Sequence, residues 1–279
     1  MAGILYLCAT PIGNLEDMTF RAVRILKEVD LIAAEDTRNS IKLLNHFEIK
    51  TKMTSYHEHN KVEKAKILVD KLLQGKNIAL ITDAGTPGIS DPGEELVKQA
   101  YQAGIVVTSL PGCCAGITAL TLSGMSTRRF VFEAFLPQDK KEQKLVLDEM
   151  KEEQRTMIIY EAPHRLVKTL KLLLETLGNR RLTVCRELTK KHETIFLTTI
   201  EEAITHYTME EIPRGECVLV IEGKSYQEIV KQSQEKWKEL GISEHVLYYM
   251  QQGFNKKEAM KKVALDRGMT KREIYQALL

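Results

Sequence analysis

No apolar run in this chain reaches eighteen residues, so no segment is long and apolar enough to cross a bilayer as a helix. No C-x-x-C pair occurs among the five cysteines, and an odd count argues against a disulfide framework; neither a zinc site nor a redox pair is expected. Cys8, Cys185 and Cys217 lie in strand-like apolar runs, while Cys113 and Cys114 are neighbours. The opening residues, Met1 to Tyr6, lack the basic region of a secretion signal and run straight into a strand-like stretch, so the cytoplasm is the expected location. Excess charge is also missing. The net charge is +2, so any nucleic-acid partner must be held by a local basic surface. Two phosphate fingerprints are absent as well: G-x-x-x-x-G-K-[ST], and a G-x-G-x-x-G after a strand. That disfavours a P-loop nucleotidase and a dinucleotide dehydrogenase. There is no internal repeat and no low-complexity tract.

What is present is the composition of a globular protein, 43% apolar and 28% charged over 279 residues. Strand-like and helix-like stretches alternate: Ile4–Cys8, then Phe20–Val29 with helical spacing, Leu31–Ala34, amphipathic Lys61–Leu73, Ala79–Thr82, a helix from about Glu94 to Ala103, and Ile105–Leu110. This is βαβαβ order and implies a largely parallel sheet. After a charged helix within Gln138–Arg155, a second round follows, with strands Thr156–Tyr160, Leu182–Arg186, Thr194–Thr198 and Cys217–Ile221 and helices Leu166–Leu177 and Glu201–His206. Two strands there lack an intervening helix, so the second sheet is expected to be mixed. The expected division is an α/β domain over 1–115, a second over 116–224, and a helical tail over 225–279. The tail holds ten Lys/Arg, seven Asp/Glu and no proline.

Four unusual loops follow strands. They are Ala9–Leu15, the stretch from Thr82 through Gly93, Leu110–Gly116, and Tyr160–Arg165. The second packs Gly85, Pro87, Gly88, Pro92 and Gly93 into nine residues, framed by Asp83 and Asp91. Glycine lets a ligand approach the backbone, and proline removes freedom from the empty loop. Any one of these loops taken singly reads as a turn. Four on the strand-exit side, where α/β sheets bind ligands, point to a site for a polar small molecule.

The blocks "ATPIGNLEDMTFRA", "AEDTR", "DAGTPGISDPG", "LPG", "YEAPHR" and "RGECVLVIEG" resemble, in order, the branch of the tetrapyrrole methylase superfamily that methylates bacterial small-subunit ribosomal RNA. The resemblance covers nearly the whole chain. It implies two α/β domains of the tetrapyrrole methylase type with the cofactor cleft between them, a small C-terminal helical module, and a homodimer. It also implies 2′-O-methylation of a cytidine ribose near the decoding centre of 16S ribosomal RNA, with S-adenosyl-L-methionine as donor. Carried over by motif, Pro11, Gly85, Thr86, Ile89, Cys114 and Ala115 belong to the cofactor, Asp83 and Gly88 support the same loop, and Tyr160 lines the cleft. Asp83 has a turn-capping alternative. Two departures stand out: Cys113-Cys114-Ala115 where the family commonly has Pro-Ser-Ala, and Ala134-Phe135-Leu136-Pro137 where it often has Gly-Phe-Leu-Pro.

Methyl transfer from a sulfonium needs alignment, exclusion of water and loss of a proton. Base candidates are Asp36, His57 and Glu161, with His164 beside the last. His57 and His59 have a metal-binding alternative, but no third ligand accompanies them. Arg38 and Arg165 are placed to clamp RNA phosphate or, equally, to pair with neighbouring carboxylates. In the tail, Ala259, Val263, Ala264 and Leu265 fall on one helix face, a turn follows at Arg267-Gly268, and Thr270 reads as an N-cap for Lys271–Leu279. That spacing fits a helix-turn-helix whose Lys256, Lys257, Lys261 and Lys262 touch RNA, or a packing module. The rival functions are methylation of a tetrapyrrole precursor and a non-enzymatic nucleic-acid-binding regulator.

Overall fold

The structure is a computed structural model that describes residues 1–209, 214–225, 228, 234, 235, 237 and 240–279. The chain divides into two compact units, Met1–Asp148 with Thr156–Glu222, and Glu149–Arg155 with Gly223–Leu279. The first unit holds both sheets, so the expected boundary at 115/116 falls inside it.

The first sheet contains β1 (Ile4–Cys8), β2 (Leu31–Ala34), β3 (Met53–Ser55), β4 (Ile78–Ile81) and β5 (Val106–Leu110), all parallel, in the order β3-β2-β4-β1-β5. Helices α1 (Phe20–Glu28), α2 (Thr37–His46), α3 (Lys61–Leu73) and α4 (Gly93–Gln102) make the crossovers. A sheet covered on both faces needs strands that are apolar throughout. β4 shows this, because Ala79 and Ile81 pack with Ile25 and Leu26 while Ile78 and Leu80 pack with Leu68, Leu72 and Leu96. Each fully buried leucine there contributes about 1.5–3 kcal/mol. α2 and β3 were not expected from the sequence. α2 starts because the Asp36 carboxylate accepts the Arg38 backbone N–H at 2.8 Å, a helix cap.

The second sheet contains β6 (Phe130–Phe135), β7 (Thr156–Glu161), β8 (Arg181–Arg186), β9 (Thr194–Thr199) and β10 (Cys217–Ile221) in the order β6-β7-β10-β8-β9. β6 and β7 are parallel and the remaining pairs antiparallel, the mixed sheet expected; β6 was not foreseen. The helices of this half are α5 (Ala115–Leu122), α6 (Lys140–Glu152), α7 (Leu166–Leu177) and α8 (Ile200–Met209).

Among the described residues of the second unit, α9 (Ile242–Gln251), α10 (Lys256–Arg267) and α11 (Lys271–Ala277) close around Val246, Ala259, Met260, Val263, Ala264 and Ile274. Thr270 caps α11 as expected, accepting from Glu273 N–H, and Gly268 ends α10 at φ +63°. Leu265 corrects the expected apolar face. It is 73% exposed, and Met260 takes its place in the core.

Candidate functional site

β1 lies between β4 and β5 although the chain leaves β1 for β2, so the strand order reverses there and the exits of β4, β1 and β5 converge. Hydrogen bonds fasten those exits together. Thr10 N–H donates to the Gly85 carbonyl at 2.9 Å, and Gly85 N–H donates back to the Thr10 carbonyl at 3.0 Å. The Thr10 hydroxyl donates to the Thr82 carbonyl, and the Thr86 hydroxyl to the Cys113 carbonyl at 2.8 Å. The Asp91 carboxylate accepts the N–H groups of Gly88 and Gly93 and closes the glycine-proline loop on itself. The need for glycine at 85 is conformational. Its φ is +85°, while an added Cβ would meet Ile12 and the Cys113 carbonyl only at an ordinary 3.5 Å.

Beside these loops is a cleft of about 450 Å³ that both sheets of the first unit line. This lies within the range typical of small-molecule sites. Of the candidate residues, Asp83, Gly85, Thr86, Ile89, Cys114, Ala115, Tyr160 and Glu161 line it. Pro11 and Gly88 stand outside its lining, in loops that border it. The lining also includes Ile12, Glu35, Phe135, Leu188, Glu216, Cys217 and Val218, none of them among the candidate site residues, although all but Phe135 and Leu188 lie inside the quoted blocks. Of the two adjacent acids of the AEDTR block, Glu35 lines the cleft and Asp36 does not. The Thr82 hydroxyl donates to Glu35 Oε2 at 2.5 Å.

The polar end of the cleft is acidic. Burial and the neighbouring Glu35 hold the Asp83 carboxyl above the usual carboxylate range. A cation bound there would relieve that repulsion. The opposite wall is aromatic: the Tyr160 hydroxyl accepts the Gly116 N–H at 2.9 Å, and burial pushes Tyr160 up to about 12. Phe132 and Phe135 lie edge-on to it at 5.0 and 5.7 Å.

The three base candidates are not gathered at one point. Asp36 lies outside the cleft lining and chelates the Arg38 guanidinium at 3.1 and 2.8 Å; that pairing holds it down to about 2, a poor proton acceptor. His57 also lies outside, with its ring against the Asn60 amide at 3.2 Å and 6.0 Å from the His59 ring. Glu161 reaches the cleft but is 2% exposed. It accepts from the Thr169 hydroxyl at 2.5 Å and the Ala162 N–H at 2.8 Å, with Arg165 Nε at 3.4 Å. Both arginines are therefore in ion pairs, Arg165 with Glu161 and Arg38 with Asp36, the Arg38 side chain being 88% exposed. Lys256, Lys257, Lys261 and Lys262 are exposed on α10, with Lys262 Nζ 4.5 Å over the Phe254 ring. No group of three or more His, Cys, Asp or Glu placed to hold a metal occurs among the described residues.

Residues 4–204 match the tetrapyrrole (corrin/porphyrin) methylases. The protein named ribosomal RNA small subunit methyltransferase I of Halalkalibacterium halodurans is 52% identical over 98% of this chain and 93% of its own. The protein of the same name from Bacillus subtilis is 50% identical over 99% of this chain and 94% of its own. Among solved structures, a diphthine synthase superposes with a TM-score of 0.63 at 12% identity, covering 80% of this chain and 91% of that one. A uroporphyrin-III-C-methyltransferase of Thermus thermophilus gives 0.56 at 18%, covering 79% and 94%. These two likenesses establish the fold alone.

Proposed function

Because the chain belongs to the tetrapyrrole methylase family, we propose that it methylates the 2′ oxygen of a cytidine ribose in 16S ribosomal RNA. It is an S-adenosyl-L-methionine-dependent methyltransferase. The substrate follows the curated relatives, which are named for small-subunit ribosomal RNA and match nearly end to end.

The cleft fits the donor. The observation that carries this is the fastening of the Thr10, Gly85 and Cys113 loops beside an acidic pocket, where a cation relieves the crowding of Asp83 and Glu35. Gly85, Thr86, Ile89, Cys114 and Ala115 would hold it, with Asp83 at the polar end, Tyr160 opposite, and Pro11 and Gly88 keeping the loops in shape. The donor supplies an activated methyl. What the protein must add is alignment of the ribose oxygen, up to roughly 7–11 kcal/mol in favourable cases. A general base would add only about 10²–10⁴-fold. With Asp36 paired, Glu161 engaged on both oxygens and His57 outside the cleft lining, alignment carries most of the rate.

Labelled methyl donor with small ribosomal subunits should put one methyl on a single cytidine ribose, and mass spectrometry of nuclease fragments should locate it. That position should resist mild alkali, because the hydroxyl that drives strand cleavage is gone. A methyl on a base, or transfer only to a tetrapyrrole, overturns the reading.

The four lysines of α10 supply the expected electrostatic hold on RNA. Changing Lys256, Lys257, Lys261 and Lys262 to Ala should raise the KM for subunits. Its salt dependence should flatten by about 0.7–0.9 log units for each phosphate the tail no longer neutralises. Donor affinity should stay unchanged. An unaltered KM would leave these helices a packing module.

A further inference from the structure

We infer that Phe135 is the stacking platform for the target nucleobase, an inference that rests on the RNA reading above. It begins with an irregularity in β6. Phe132 pairs with Ile158 across the parallel ladder, yet Ala134, two residues on, pairs with the very next residue, Ile159; one extra residue is inserted. Ala134 takes φ +51°, a left-handed conformation that favours glycine. Bulges are uncommon in parallel pairs and serve to re-aim side chains near functional sites.

The re-aiming here is specific. With the insertion, Phe132 and Phe135 stand opposite Ile158 and Tyr160, which are two residues apart and share one face of β7. In an unbroken strand, residues 132 and 135 would point to opposite faces. The bulge therefore brings a second phenylalanine onto the cleft face, where Phe135 joins the lining.

A phenylalanine placed there for packing would be covered by its neighbours, as Phe132 is in part. Phe135 is 50% exposed. Its ring meets Tyr160 edge-on at 65°, and Tyr160 is itself fixed by the Gly116 N–H and by Phe132. The ring is thus held in place before any ligand arrives, which lowers the ordering cost of binding. A half-exposed aromatic ring in the cleft lining suits a flat group presented from solvent better than one enclosed with the donor. A ribose drawn into a cleft carries its base out of the neighbouring stack, and an extruded base is characteristically received between aromatic or apolar side chains.

The test compares Phe135→Leu with Phe135→Tyr and Phe135→Trp, using labelled methyl donor and small ribosomal subunits, with donor binding followed by calorimetry. Leu keeps the apolar bulk without the aromatic face, and its normal calorimetric binding reports that the protein is folded. The expected result is a fall of about 10- to 100-fold in kcat/KM for Leu with donor affinity unchanged, while Tyr and Trp stay within about threefold of wild type. Equal kcat/KM for Leu and wild type overturns the proposal. So does a proportionate loss of donor affinity, which would make the ring a wall of the donor pocket, or failure of Tyr and Trp alongside Leu. Wild-type transfer with an unimpaired Leu variant rejects the platform alone. No wild-type transfer to ribosomal RNA rejects the RNA reading and the platform with it.

Discussion

Replacing Glu161 with Ala should unfold the protein at markedly lower urea and reduce methyl transfer only in step with the loss of folded protein. Glu161 is a carboxylate with no exposed side-chain surface, held by the Thr169 hydroxyl, the Ala162 N–H and Arg165. Removing one member of a buried pair leaves the others desolvated and unpaired, a cost of about 3–5 kcal/mol. The Arg165 side chain keeps 24% exposure and lies 3.4 Å from the Leu136 carbonyl, so it can recover some hydration. The lower end of that range is therefore expected. Glu161→Gln keeps the shape and loses the ion pair, so it should cost less, about 1.5–3 kcal/mol. Gln also separates the two roles available to this residue. A general base changed to an amide would lose turnover at full donor affinity, whereas a structural anchor loses stability and leaves the turnover of folded molecules near wild type. Urea titration beside single-turnover transfer decides it.

That anchor was visible in the sequence only as an acid in a suggestive motif, and the same limit runs through the site. The four strand-exit loops were legible because glycine and proline are local signals. β4 was legible because a doubly covered strand is apolar throughout. α2 was not, since the aspartate that caps it, Asp36, has the same letter as a catalytic aspartate. β3 is three residues long and leaves no periodicity to read. Cys217 and Val218 escaped because β10 runs antiparallel to β7, so its start, not its exit, faces the cleft. Phe135 escaped because β6 itself was not foreseen, and its place on the cleft face depends on the bulge before Ala134, where only the family's frequent glycine hints at a positive φ. Spacing along the chain carries the loops. Register across the sheets carries everything that the loops face.

Gly112→Ala should slow methyl transfer by about 100-fold, and Ala9→Gly in the same chain should restore most of it. An added Cβ at 112 would lie 2.6 Å from the Ala9 Cβ, well inside van der Waals contact, and Ala9 is a buried residue with little room to yield. The two residues follow β5 and β1, neighbouring strands whose exits the Thr10–Gly85 and Thr86–Cys113 hydrogen bonds draw together. Relief of the clash must therefore come from parting those exits, by roughly 1 Å, and a misplacement of that size at a site built on alignment costs about 10²-fold. The overpacking itself should cost about 1–3 kcal/mol of stability. Ala9→Gly alone removes a methyl from the same contact and should do little to transfer. The double variant exchanges which side carries the methyl and so restores the original spacing. A coupling of about 2 kcal/mol or more between the two sites is expected from a double-mutant cycle read by single-turnover methyl transfer. Strict additivity would mean that the close approach of these two strand exits does not shape the donor pocket, and that the cleft tolerates a wider spacing of the two loops.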